Sequence, residues 1–317
     1  MSKILCIGEA LIDMICTDKG KTLAAGENFL KKPGGAPTNV AAAIAALGGH
    51  VALVAKVGND PFGHQLIDVM KGFGVDVTYM LQDENYFTTL AFVSLMENGE
   101  RDFVFSRGAD GQLHQSDIEQ INLEDISIVH FGSATGFLSG PLQNTYLHLL
   151  KTAKEKNIFI SFDPNYRHLL FKNNTTSFVQ QSNYFIQHCN FFKVSDEEAL
   201  LLTGAASVNA AAQQFFNTTN ATFAITLGKD GTMFGINNTL TTIPSIDIKP
   251  VDTTGAGDAF VGAVLYQLHE VINKNTIDIT QQNWEKIVIN ANKAGARTCE
   301  YLGAMEAFKH LTNTIFN

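Results

Sequence analysis

Asp252-Thr253-Thr254-Gly255-Ala256-Gly257-Asp258 leads straight into the apolar run Ala259–Leu268. Small residues immediately ahead of a helix let successive backbone N–H groups converge on one point, where the helix macrodipole adds positive potential. Such a loop binds an anion, most often phosphate. It is not a Walker A loop, because no Gly-Lys-Ser/Thr follows, and Phe260 stands where a dinucleotide fingerprint needs its third glycine. An acid directly after the cradle has a specific use. The amides hold negative charge on a transferred phosphoryl group while Asp258 accepts the proton of an attacking hydroxyl. Taken alone, the same carboxylate would do no more than stabilise the helix N-terminus.

Outward from this loop, short apolar runs recur at Ile4–Gly8, Val51–Val54, Ile126–Phe131, Ile158–Phe162, Phe191–Val194 and Phe223–Leu227. Runs of this length read as buried parallel strands. Thr38–Leu47, Leu142–Lys156, Asp196–Leu202 and Ala210–Phe216 lie between them as helices, with Gly257–His269 and Trp284–Cys299 to follow. Strands alternating with helices predict an α/β fold, a layered parallel sheet covered on both faces. One segment departs from the pattern. Thr88–Met96 and Arg101–Ser106 alternate apolar and polar residues around Glu97-Asn98-Gly99-Glu100, the signal of a hairpin. The ribbon predicts a small accessory antiparallel sheet, either a lid or an ordinary edge.

With 317 residues, 45% hydrophobic and 17% charged, the chain can bury a substantial core. A net charge of −9 disfavours a broad nucleic-acid or anionic-membrane surface. The longest purely apolar stretch, Val40–Leu47, falls far short of the ~20 residues that span a bilayer. Cys6, Cys16, Cys189 and Cys299 are scattered, without metal-ligand spacing. The N-terminus has no apolar signal-peptide segment, so a cytoplasmic protein with reduced thiols is expected.

Asp252–Asp258 with Ala259-Phe260-Val261-Gly262 resembles the C-terminal signature of the ribokinase-like (PfkB) sugar kinases. Gly34-Gly35-Ala36-Pro37-Thr38-Asn39-Val40-Ala41, continuing to Gly48-Gly49, resembles their N-terminal signature. The resemblance runs from Gly8-Glu9-Ala10-Leu11-Ile12-Asp13 to Gly303-Ala304, and two signatures in the right order are far more specific than one. Phe162-Asp163-Pro164-Asn165-Tyr166-Arg167 and Lys193-Val194-Ser195-Asp196-Glu197-Glu198 are most similar to bacterial fructokinases. The resemblance implies a ribokinase-like three-layer α/β/α sandwich over residues 1–317, with a β-lid built from segments near 12–30 and 86–107. It also implies transfer of the γ-phosphoryl of ATP, with Mg²⁺, to a primary hydroxyl, fructose to fructose 6-phosphate. Asp258 would be the base, and Gly255, Ala256 and Gly257 the anion hole.

By the same resemblance Asp13, Gly34, Gly35 and Asn39 bind sugar hydroxyls, and Asp163, Asn165 and Arg167 join them at the cleft. Asp13 lies just beyond the first strand, where open α/β sheets bind ligands. Read alone, Asn39 is a helix cap, Asp163-Pro164-Asn165 a turn, and Arg167 one arm of a surface ion pair. Phe103, Phe105 and Arg107 of the hairpin either close over the sugar or bury a homodimer interface. On the nucleotide side the resemblance places Lys193, Glu198, Thr226, Gly228, Gly231 and, near adenine, Asn292. Ser195-x-x-Glu198 is also a capping box, and Ser stands where the family has Asn, so Glu198 would reach Mg²⁺ through water. Asp252 and the carbonyls of Thr254 and Gly303 occupy the places of a monovalent-cation site, although Glu306-Ala307 departs from its usual polar end. Three rival readings stand beside fructokinase. They are a 2-keto-3-deoxygluconate kinase, a Rossmann-type oxidoreductase (weak, since only Gly8-Glu9-Ala10 ends the first strand), and a catalytically silent sugar-binding homologue.

Overall fold

A computed structural model describes residues 2–96, 101–132, 134–273 and 279–316. The first strand, β1 (Lys3–Ile7), shows how the layers arise. Ile4 and Cys6 enter a hydrophobic cluster on one face of the sheet, Leu5 and Ile7 a second cluster on the other. Alternation of side chains along a strand makes this unavoidable once both faces are covered. The first cluster is shared with helices Ala36–Ala46, Pro61–Phe73, Ala256–Asn273 and Gln281–Thr298. The second is shared with helices Pro141–Glu155, Thr175–Ile186, Asp196–Thr203 and Val208–Thr218. The expected α/β/α sandwich is what results.

The strands in chain order are β2 (Leu11–Cys16), β3 (Phe29–Gly34), β4 (Val51–Gly58), β5 (Met80–Asp83), β6 (Leu90–Leu95) and β7 (Arg101–Ser106). They continue with β8 (Ile126–Gly132), β9 (Phe159–Asp163), β10 (Phe191–Ser195), β11 (Thr222–Thr226), β12 (Thr232–Ile236) and β13 (Thr239–Ile243). The large sheet has the order β13-β12-β11-β10-β9-β8-β1-β4-β5, parallel except for β12 and β13. Strand order reverses at β1, with β4 on one side and β8 on the other. In an open α/β sheet the crevice at the carboxyl ends of such strands receives the ligand.

The small sheet, β3-β2-β6-β7, joins the hairpin to the earlier segment that the resemblance implied for the lid. The hairpin β6/β7 is present, but β6 also pairs in parallel with β2, which pairs antiparallel with β3. Its first two strands therefore run from Leu11 to Gly34, slightly wider than the segment expected; the Glu97–Glu100 turn lies outside the described residues. Register places Lys32, Asp13, Ala91 and Phe105 in one row across the four strands. The row matters below, because residues opposite one another share a face.

Candidate active site

The loop before helix Ala256–Asn273 is a turn with Gly255 at φ 82°, and the Ala256 amide donates to the Thr253 carbonyl at 3.2 Å. A Cβ at Gly255 would overlap the Ala304 Cβ, so this close approach needs glycine. Of the three residues expected to form the anion hole, Ala256 thus spends its N–H on the turn. The amides of Gly255 and Gly257, and that of Asp258 beyond them, meet no acceptor among the described residues. A Cβ on Gly257 would lie 3.1 Å from Lys193 Nζ, so a buried ammonium stands directly beside these free amides. Two sources of positive potential converge there, the helix terminus and the lysine.

Asp258 is aimed into the cleft, where Asn39 Nδ2 donates to its Oδ2 at 2.8 Å. Burial pushes its pKa up to about 6; the Asn39 bond, Lys193 and Arg167 restrain the rise, and the charge of Asp163 adds to it. A carboxylate poised near 6 is ionised at neutral pH yet basic enough to take a proton. Asn39 is therefore no helix cap. Its amide nitrogen orients the base, while its Oδ1 is buried with no hydrogen-bond partner among the described residues, an acceptor awaiting a donor.

Asp13 projects from β2 at the same crevice, and burial raises its pKa to about 6 against the pull of Arg167. Gly34, opposite Leu11 on β3, has no room for a side chain, because a Cβ there would overlap Asp13 Oδ2. Gly35 adopts φ 105°, with Glu9 O where its Cβ would go. Replacing Gly34 by Ala must therefore displace the Asp13 carboxylate. The expected result is a loss of about 10²-fold in kcat/KM for the acceptor, the cost of a misplaced binding group. Steady-state kinetics with the acceptor varied would show it, while ATP affinity measured by titration calorimetry stays the same.

Sequence reasoning missed Glu9, which is completely buried at the switch from β1 to β2. Its Oε1 accepts from Ala36 N at 3.3 Å, its Oε2 from Thr135 Oγ1 at 3.2 Å, and its carbonyl from Thr38 Oγ1 at 2.9 Å. Burial pushes its pKa up to about 7. One side chain thus ties the Gly34–Asn39 loop to the end of β8. The signal was an acid inside an otherwise apolar run.

Asp163 and Asn165 meet the site as expected. Asp163 Oδ1 accepts from Asn165 N at 3.1 Å, Oδ2 pairs with Lys193 Nζ at 3.2 Å, and Asn165 takes the left-handed φ of 48° that Asn tolerates. Burial lowers the pKa of Lys193, but Asp163, Glu198 and Asp258 outweigh it and hold the ammonium charged. The exposed guanidinium of Arg167 lends positive potential to Glu9, Asp13 and Asp258. Among the described residues it bonds only its neighbour's carbonyl, Tyr166 O, at 3.3 Å.

Other candidates are engaged in contacts of the fold. Glu198 Oε1 accepts from Tyr166 N and Oε2 from Ser195 N, both at 2.7 Å, so the carboxylate completes the capping box and ties it to the loop after β9. Asn292 is buried, donating to the carbonyls of Ile243 and Pro244 and accepting from Thr232 Oγ1 at 2.6 Å; it pins the sheet edge. Arg107 engages Ser139 O, Thr135 O and Asp110 through all three guanidinium nitrogens, strapping the small sheet to the large one. Thr226 ends β11, and Gly228 (φ 58°) and Gly231 (φ 97°) form the tight turn into β12 beside Lys193's strand. Phe103 and Phe105 stack at 6.3 Å on the Asp13 face of the small sheet. Asp252, Thr254 and Gly303 do come together, in hydrogen bonds to one another. Among the described residues no helix is long and apolar enough to cross a membrane.

A model of the pfkB family carbohydrate kinases matches residues 1–311. The probable fructokinase-5 of Arabidopsis thaliana is 35% identical over 307 residues, 96% of this chain and 93% of that protein. The fructokinase of Xylella fastidiosa, solved with bound ATP, superposes with a TM-score of 0.86 at 28% identity, over 99% of this chain and 96% of that one. A double mutant of the Vibrio cholerae O395 fructokinase, in its fructose, ADP and potassium ion bound form, does so with a TM-score of 0.82 at 28% identity, over 100% and 97%.

Proposed function

This chain belongs to the pfkB family and is a carbohydrate kinase, and on that premise we propose that it transfers the γ-phosphoryl of MgATP to the 6-hydroxyl of fructose. The observation that carries the reading is the position of Asp258, beside three uncommitted amides and Lys193, and hydrogen-bonded to Asn39. Asp13 and Asn39 Oδ1 receive hydroxyls of the sugar and turn its primary alcohol toward Asp258. Asp258 takes the hydroxyl proton as the oxygen attacks phosphorus. The amides of Gly255, Gly257 and Asp258, with Lys193, hold the charge that develops on the equatorial oxygens. Magnesium arrives as part of the nucleotide substrate, since this ion keeps several waters and binds mainly to phosphates. The row Asp13–Ala91–Phe105 faces the sugar from the small sheet and excludes water from the reacting centre.

Fructose is favoured because relatives carrying that name match nearly the whole chain, and a fructose-bound one shares its fold. Arg167 sustains a second reading. A guanidinium with no carboxylate bonded to it among the described residues suits an acidic acceptor, as in a 2-keto-3-deoxygluconate kinase. ADP release measured over a panel of neutral and acidic sugars, with the product identified by NMR, decides between them. Fructose should give the highest kcat/KM and a phosphate on C6. A preference for an acidic sugar would transfer the assignment to the second reading.

A further inference from the structure

Four chain crossings join the small sheet to the large one. They are residues 8–10 between β1 and β2, residue 35 after β3, residues 84–89 ahead of β6, and residues 107–108 after β7. One polar ring touches them all. Glu9, in the first crossing, accepts at Oε1 from Ala36 N at 3.3 Å, just past the second. Its Oε2 accepts from Thr135 Oγ1 at 3.2 Å, in the loop that follows β8. Arg107, in the fourth crossing, donates from Nη2 to the Thr135 carbonyl at 3.3 Å and from Nε to Asp110 Oδ2 at 3.5 Å. Asp110 Oδ1 accepts from Thr89 Oγ1, at the end of the third crossing, and that hydroxyl accepts from Gly108 N at 2.9 Å. The Thr89 carbonyl accepts from Ile12 N at 3.0 Å. Ile12 is three residues beyond Glu9, so the ring closes through the main chain that leads to Asp13.

Glu9, Thr89 and Thr135 are 0% exposed and Asp110 1%, while Arg107 is partly exposed. A buried network of this kind specifies one geometry, because a rearrangement leaves a donor or acceptor with no water to replace its partner. What it specifies here is the relation between two halves of the sugar site. Asp13 and Phe105 lie on the small sheet, whereas Asn39 and the Asp258 it bonds belong to helices covering the large one. We propose that the ring Glu9–Thr135–Arg107–Asp110–Thr89 seats the small sheet over the sugar, and that Thr135 and Thr89 are positioning residues acting through it. The ring holds Asp13 and Asn39 at the spacing one sugar requires and keeps water from the phosphoryl group. This inference rests on the kinase reading for its kinetic arm; amide exchange tests the ring without catalysis.

Thr135→Val, Thr89→Val and the double valine variant are compared with Thr135→Ser and Thr89→Ser. Valine keeps the shape of threonine but removes the hydroxyl that Glu9 or Asp110 accepts from; serine keeps it. KM for fructose and for ATP, sugar-free ATP hydrolysis, and hydrogen–deuterium exchange over β2 and β6 are measured below each melting temperature. Each valine variant should raise KM for fructose about tenfold, the worth of one hydrogen bond to a charged group, and leave KM for ATP unchanged. Sugar-free hydrolysis and exchange over β2 should rise several-fold, and both serine variants should behave as the parent. Independent sites add their effects, but members of one ring do not. The double variant should therefore lose little more than either single one. Additive losses, serine variants as impaired as valine ones, or a valine variant with parental KM and exchange each overturn the proposal. Should Thr135→Val fail to fold, Thr89→Val against Thr89→Ser decides on the same readouts. If no sugar turns over in any variant or the parent, the kinase reading falls while the exchange series still decides the ring.

Discussion

Asp258→Asn lowers kcat by about 10²–10⁴-fold, the range for loss of a positioned general base, without lowering the melting temperature. The two halves of this expectation have one cause. The carboxyl is held where burial raises its pKa to about 6, above its unfolded value. Such a group binds its proton more tightly folded than unfolded, so ionising it costs folding stability as pH rises from below 4 to above 6. A neutral amide of the same shape removes that cost and keeps a partner for Asn39. A variant that melts as high as the parent, binds ATP and no longer turns over separates a missing base from a broken fold. Unchanged turnover would remove Asp258 from the chemistry.

The pH profile carries the same sign. The base must be ionised, so kcat falls as pH drops through about 6 and is level above it. For kcat/KM the free enzyme counts, and there Asp13 also titrates near 6. The acid limb of kcat/KM should therefore be steeper than that of kcat, in which bound sugar already occupies Asp13. Asn at 258 should abolish the kcat limb.

Much of this site was legible because its signals are local. A glycine turn entering a helix, followed by an acid, states its geometry in seven consecutive residues. The parallel strands announced themselves as apolar runs because both of their faces are buried. The edge strand β13 did not, since Thr239–Ile243 carries three threonines and its first four residues remain partly or fully exposed. Helix Pro61–Phe73 was readable but unread: Asp60 caps it, Pro61 opens it and Gly74 closes it in the left-handed region. Non-local partnerships left no trace in the chain. Nothing near residue 292 says that its amide meets the Ile243 carbonyl, and nothing near Lys32 says that Gly303 lies beside it. Nor does the sequence near Asn292 or Glu198 show the hydrogen bonds that hold their side chains to Thr232 and to the Tyr166 amide.

Lys193→Met tests how the cleft holds several acids together, and its expected effect is large on two separate readouts. Lys193 is almost fully buried and pairs with Asp163, itself 2% exposed, while its charge also reaches Glu198 and Asp258. Removing one partner of a buried pair leaves the other charge uncompensated, a loss of about 3–5 kcal/mol; denaturant titration would measure it. With that positive charge gone, the Asp258 pKa rises further, and the acid limb of kcat moves to higher pH. Because Lys193 stands beside Gly257, ATP also loses a cation where its phosphates bind, and KM for ATP increases. Adding Asp163→Asn discriminates among these effects. The double variant no longer buries an orphan carboxylate, so it regains most of the lost stability, and the Asp258 limb moves back toward its original position. It does not regain the ammonium, so its KM for ATP stays high. Recovery of all three together would mean that Lys193 serves only to neutralise Asp163, and the phosphate-binding role assigned to it would have to be withdrawn.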